Sequence, residues 1–138
     1  MLLTKKDKKL IKQAKSLAGK RMIKGGYIGS TVCVLVTGKG RICTGVNLEI
    51  TCGIGFCAEH TAVGRMITKG EETYVKTIVS ADEKKVRPPC GRCRELLNLL
   101  DKKNLETEVI VSENKKVKLG DLLPYAWQGK NYTKCKAW

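Results

Sequence analysis

Aromatic side chains are scarce in this chain: one Phe, two Trp and four Tyr among 138 residues. There is a single histidine, His60, and acidic residues are about half as frequent as basic ones, 13 Asp plus Glu against 27 Lys plus Arg. No apolar window approaches the roughly 20 residues that a membrane-spanning helix needs, so no membrane partner is expected. The first residues, Met1–Asp7, lack the apolar core of a signal peptide, and the expected location is cytoplasmic. Repeats and low-complexity linkers are missing. Apolar runs recur along the whole length, which argues against intrinsic disorder.

What is present begins with size. A chain of 138 residues closes one core, and the expectation is a single domain over 1–138 with a polar, basic tail over about 128–138. The formal net charge of +14 suits nucleic acid or an acidic surface. Its distribution points elsewhere. The lysines fall in scattered pairs (5–6, 8–9, 84–85, 102–103, 115–116), and no basic stripe is interleaved with aromatics. A lysine-rich solvated surface is the expected reading.

Seven cysteines stand at 33, 43, 52, 57, 90, 93 and 135. An odd count without a secretion signal argues against a disulfide framework, leaving buried small side chains or metal ligands. Cys33 and Cys43 lie in apolar strand patterns and read as core. Cys52 reads as loop packing, with the pocket mouth as its alternative, and Cys135 as a tail residue without a role.

Periodicity sets the order of elements. Thr4 with Asp7 three residues on forms a capping-box pattern, followed by Leu10, Ile11, Ala14, Leu17 and Ala18 on one helical stripe that Gly19 ends. Gly25, Gly26 and Gly29 predict a loop. Thr31–Thr37 and Arg41–Val46 predict a hairpin about Gly38-Lys39-Gly40. Residues 50–56 read as loop, 58–70 as helix, Val75–Ser80 as a third strand and 81–89 as a charged loop. A helix from about Cys90, a strand over Glu108–Ser112, a fifth strand over Lys115–Leu119 and a short turn at Asp121–Leu123 complete the chain. Strand–helix–strand crossovers place parallel strands in one sheet with helices packed on it, an α/β architecture.

The chemistry concentrates in Cys57-Ala58-Glu59-His60 and Pro89-Cys90-Gly91-Arg92-Cys93, each at a loop-to-helix junction. Free amides and the helix dipole favour thiolates there. Three cysteines from two helix starts suit zinc and leave a tetrahedral position open for water. Glu59 lies two residues after a ligand and reaches that water without being a ligand itself. Composition alone permits a second reading, in which His60 joins the cysteines in a closed Cys3His structural site. A Cys–His nucleophile pair is a third, and it explains neither the Cys-x-x-Cys nor Glu59.

The CAE and PCGRC blocks resemble the signature of zinc-dependent cytidine deaminases. Gly45-Val46-Asn47-Leu48-Glu49 resembles the sugar-binding segment of the small homotetrameric members, and Leu122-Leu123-Pro124 recurs near their C-terminus. The likeness spans about residues 30–127. It implies a three-layer α/β/α fold with a mixed sheet of about five strands flanked by helices. It further implies one Zn²⁺ per chain on Cys57, Cys90 and Cys93, with Glu59 as proton shuttle. Asn47 and Glu49 would bind the sugar, and backbone groups near Ala58 and Cys90 would face the pyrimidine. The implied activity is hydrolytic deamination of cytidine or deoxycytidine to the uracil nucleoside plus ammonia, in pyrimidine salvage, by a homotetramer.

Departures from the pattern bear on substrate. His60 stands where many relatives carry Arg, and it reads as a donor to a ligand sulfur; three thiolates leave Zn²⁺ with net negative charge that a donor offsets. Glu95 replaces a usual Gln and reads as a structural helix residue. Gly29 falls where an aromatic is expected. Arg92 and Arg94 read as cations near the thiolates, or Arg94 as the partner of a helix carboxylate. The segment Leu123–Gly129 looks closer to blasticidin S deaminases, which makes an antibiotic nucleoside the alternative substrate and Trp127 a pocket candidate. Glu49 favours the ordinary nucleoside. Polynucleotide deaminases typically use His as first ligand where this chain has Cys57, so nucleic acid is not the expected substrate. A non-catalytic module held by structural zinc and binding nucleic acid is the rival from another class.

Overall fold

The computed structural model describes residues 1–127. Expectations placed on 128–138, including Gln128, Gly129, Cys135 and the basic tail, lie outside the described residues. Helix α1 (Lys5–Leu17) opens on the capping box: the Thr4 hydroxyl accepts from the Asp7 N–H at 3.2 Å, and the Asp7 carboxylate accepts from the Thr4 N–H at 2.8 Å. Strands β1 (Arg21–Ile23), β2 (Gly26–Thr37) and β3 (Ile42–Ile50) follow, then α2 (Ala58–Gly70), β4 (Val75–Ala81), α3 (Gly91–Leu100), β5 (Glu108–Ser112) and β6 (Lys115–Lys118). No helix among the described residues is long and apolar enough to cross a membrane.

The strands form one mixed sheet in the order β1-β2-β4-β5-β6, with β3 paired to the free flank of β2. β2 runs antiparallel to β1, β3 and β4. The crossover through α3 makes β4 and β5 parallel, and β6 returns antiparallel to β5. Alternation along β2 divides the interior in two. Cys33 and Leu35 pack with Ala62, Met66 and Leu97 of α2 and α3, while Val32 and Val34 pack with Leu10, Ile11 and Ala14 of α1. The layers are therefore α/β/α.

The sheet has six strands rather than five, because the glycine segment does not form a simple loop. β2 begins at Gly26, where pairing with both β1 and β3 overrides the turn signal of the glycines, and its register shifts between Ile28 and Val32. β3 likewise runs on to Ile50, beyond the hairpin read from periodicity. Gly29, at φ +79°, occupies the shift, and a Cβ there would lie 2.7 Å from the Gly19 carbonyl oxygen. No aromatic side chain fits that position. Gly45 matters for a different reason. A Cβ on it would lie 2.3 Å from the Ala62 N, so glycine is what lets the start of α2 rest directly on β3.

Candidate metal centre

Two helix starts converge on one point above the sheet. Cys57 is the N-cap of α2 and Cys90 the N-cap of α3, both with extended backbone, and neither helix start has a side-chain cap. The first-turn amides of both helices are thus left facing the sulfurs. Pro88 and Pro89 suit the extended entry to α3, which Arg94 braces by donating from Nε to the Pro89 carbonyl at 2.9 Å. Thr61 ties the start of α2 to β3 through the Val46 carbonyl at 2.8 Å.

Cys90 Sγ lies 3.5 Å from Cys57 Sγ and 3.5 Å from Cys93 Sγ. All three sulfurs lie within 4.8 Å of one another, the only such donor group among the described residues. Tetrahedral zinc with bonds of about 2.3 Å separates its sulfurs by about 3.8 Å, so the donor set fits a single zinc ion. Burial and the adjacent Cys90 thiol push Cys57 up to about 11. Burial, followed by the Glu59 charge, pushes Cys93 well above the usual thiol range. Burial opposes ionisation of Cys90 too, but the Cys93 N–H and the neighbouring thiols outweigh it and hold its pKa down. A divalent cation is the group that would make all three thiolates stable at neutral pH.

Glu59 sits in the first turn of α2, 4% exposed, and its charge acts on all three site cysteines and on Cys33 beneath them. Ala58, beside it, is fully buried. His60 Nδ1 approaches Cys93 Sγ at 3.6 Å. It does not join the sulfur group within the 4.8 Å spacing. Burial, then the nearby Arg92 charge, lowers the His60 pKa, so the ring is neutral at pH 7 and carries one N–H. The imidazole thus lies against one of the three sulfurs, that of Cys93.

Asn47 and Glu49 share one face of β3. Asn47 is buried, its Oδ1 accepting from the Thr31 N–H at 2.9 Å and its Nδ2 donating to Ser30 Oγ at 2.8 Å. One amide hydrogen and one lone pair remain for a ligand. Glu49 is exposed. Ser30, which fixes the Asn47 carboxamide, gave no sequence signal because it lies among glycines that read as loop. Other positions depart from expectation. Arg94 binds the Pro89 and Leu122 carbonyls rather than a helix carboxylate or the thiolates. Among the described residues Trp127 is 77% exposed, and its backbone N–H donates to the Glu95 carboxylate at 2.7 Å. Cys33 and Cys43 are core residues and Cys52 is exposed.

Residues 4–108 match the family model of the cytidine and deoxycytidylate deaminase zinc-binding region. The chain belongs to this deaminase family. A probable cytidine deaminase of Dictyostelium discoideum is 38% identical over 63 residues, which are 44% of this chain and 43% of that protein. A cytidine deaminase of Halalkalibacterium halodurans is 37% identical over 59 residues, 42% of this chain and 45% of the other. These alignments thus span less than half the length of either relative. Solved structures align further. The cytidine deaminase of Burkholderia pseudomallei gives a TM-score of 0.70 at 27% identity, covering 91% of this chain and 100% of that one. That of Mycobacterium tuberculosis gives 0.69 at 26% identity, covering 87% and 93%. The α/β/α deaminase fold and its zinc-binding region are therefore properties of this chain.

Proposed function

We propose that this deaminase removes the C4 amino group of a free cytosine nucleoside by hydrolysis, converting cytidine or deoxycytidine to uridine or deoxyuridine plus ammonia. The observation that carries the reading is the buried Glu59 carboxylate beside three sulfurs from two helix starts. Cys57, Cys90 and Cys93 would hold the zinc, which when bound supplies the Lewis acidity that activates a water molecule. Glu59 would take one proton of the attacking water and pass it to N3 of the pyrimidine, then move that water's second proton to the departing amine, so that ammonia leaves as the C4 carbonyl forms. The Ala58 amide in the first turn of α2 and the α3 start at Cys90 would face the pyrimidine edge. His60 would donate its N–H to Cys93 and disperse thiolate charge. The free amide hydrogen of Asn47 and the exposed Glu49 carboxylate would hold sugar hydroxyls.

Residues 1–138 would act as one unit in cytoplasmic pyrimidine salvage. The sites would assemble as a homotetramer, for which exposed Met22, Ile54, Tyr125 and Trp127 offer apolar contact surface. The names of the relatives and the Asn47–Glu49 pair favour the ordinary nucleoside over a blasticidin-type antibiotic. Ammonia release by zinc-quantified protein offered cytidine, deoxycytidine and blasticidin S in parallel tests this. Turnover of either ordinary nucleoside supports the proposal; turnover of the antibiotic alone overturns the substrate, and zinc without any turnover overturns the activity.

A further inference from the structure

A second concavity lies on the opposite face of the sheet. It has a volume of about 660 Å³ and opens between the first turns of α1, the β2–β3 turn and the neighbouring residues Lys76, Thr77, Glu108 and Lys116 of β4, β5 and β6. That volume is in the range of small-molecule sites, roughly 300–1,000 Å³. The sulfur cluster is at the starts of α2 and α3, which pack on the other face, so the two sites do not overlap.

The lining has two chemistries. Leu10, Val36 and Ile42 supply apolar surface, and Lys6, Lys9, Lys39 and Lys76 surround it. Lys6 and Lys9 are one helical turn apart on α1 and so present neighbouring ammonium groups. None of these four lysines forms an ion pair among the described residues. The carboxylates lining the cleft are already engaged. Asp7 and Glu108 both bind the buried Lys116 ammonium, Asp7 at 2.9 Å. The cleft therefore keeps an uncompensated positive charge next to an apolar wall, an arrangement that repels itself unless an anion is present.

We infer that this cleft binds a small molecule bearing a polyphosphate, with the phosphates among Lys6, Lys9, Lys39 and Lys76 and any attached ring against Leu10, Val36 and Ile42. Lysine ammonium groups are point charges suited to phosphate oxygens without fixed geometry. The apolar wall gives a nucleoside polyphosphate an advantage over the bare anion. Single phosphates, unable to span several lysines, bind weakly. Because the cleft is remote from the cysteines, occupancy does not depend on turnover at the metal centre.

Titration calorimetry of the zinc-loaded, full-length protein with ATP and with inorganic tripolyphosphate tests the inference. The expected result is saturable binding of one molecule per chain, with a dissociation constant below about 1 mM. Lys6→Glu/Lys39→Glu weakens it about tenfold or more, whereas Lys84→Glu/Lys85→Glu, beyond the other end of α1, changes it less than about twofold. ATP binding more tightly than tripolyphosphate assigns the apolar wall to the base; equal affinity assigns the site to the polyphosphate alone. The inference is overturned by an absence of saturation, by equal losses in both charge-reversal variants, or by an oligonucleotide that displaces both probes, which would make the surface a nucleic-acid one. Cytidine turnover, assayed on the same samples, reports separately on the metal centre.

Discussion

At the scale of single residues, Glu59 and His60 stand side by side in α2 with separable roles. Glu59→Gln keeps the size and removes the proton acceptor. Its expected phenotype is one zinc per chain with turnover reduced by about 10²–10⁴-fold, read by metal analysis beside an ammonia assay. Turnover within a factor of a few of the parent would remove Glu59 from the chemistry. His60→Ala leaves three sulfurs intact and deletes the imidazole whose Nδ1 lies 3.6 Å from Cys93 Sγ. Zinc content should stay at one per chain while affinity falls by about 10–100-fold in a chelator competition, as for other partners of metal ligands. Complete loss of zinc together with unfolding would instead make the imidazole a ligand. The cluster of Cys57, Cys90 and Cys93 that could hold one zinc ion was legible in sequence because its spacing is chemical. Ser30 was not, since nothing local marks a hydroxyl that orients a side chain on the next strand.

Among the elements, α2 shows how local signals and tertiary pairing divide the work. Its boundaries, 58–70, follow from apolar period and the glycine at its end. The left-handed residue, however, is Glu71, at φ 54°, one position beyond the glycine. Glu71→Gly relieves that strain and should raise stability by about 0.5–1 kcal/mol, measured as a higher denaturation midpoint at unchanged m-value. A lower midpoint would mean that the Glu71 side chain makes a compensating contact. β1 and the first half of β2 were illegible for the opposite reason, because the glycines around them read as loop and only pairing of β2 with both β1 and β3 makes the segment strand. Asn104 is another element-scale tie without a signature. Fully buried, it accepts from the Val75 N–H and donates to the Thr73 and Leu97 carbonyls, joining the end of α3 to β4.

Over the whole molecule, stability against pH depends on the buried Asp7–Lys116 pair, which the half-buried Glu108 joins. Burial works to raise the Asp7 pKa, but the Thr4 N–H and Lys116 outweigh it and hold it below the usual carboxylate range. Burial works to lower Lys116, and its two carboxylate partners outweigh that and raise it. A depressed Asp7 contributes stability above its unfolded value of about 3.9, lost as pH falls further. A raised Lys116 contributes stability below about 10.4, lost as pH climbs beyond. Lys116→Met leaves a buried carboxylate without its cation and should destabilise by about 3 kcal/mol near neutrality. That deficit should shrink below about pH 4, where Asp7 takes up a proton, and denaturant titrations across pH will show it. A deficit independent of pH would assign the loss to packing alone.

Lys116 also joins parts of the chain that are remote in sequence. Its carbonyl accepts from the Met1 amino group, 115 positions away, and its ammonium reaches Asp7 in α1. Contacts of such separation carry the largest loop-closure entropy, so they should form after the rate-limiting step of folding. Kinetically, α1 and β6 then act as a latch rather than a nucleus. In a chevron plot, Lys116→Met should raise the unfolding rate by nearly its full equilibrium effect and leave the refolding limb in place. Slower refolding would put α1 and β6 together already at the barrier.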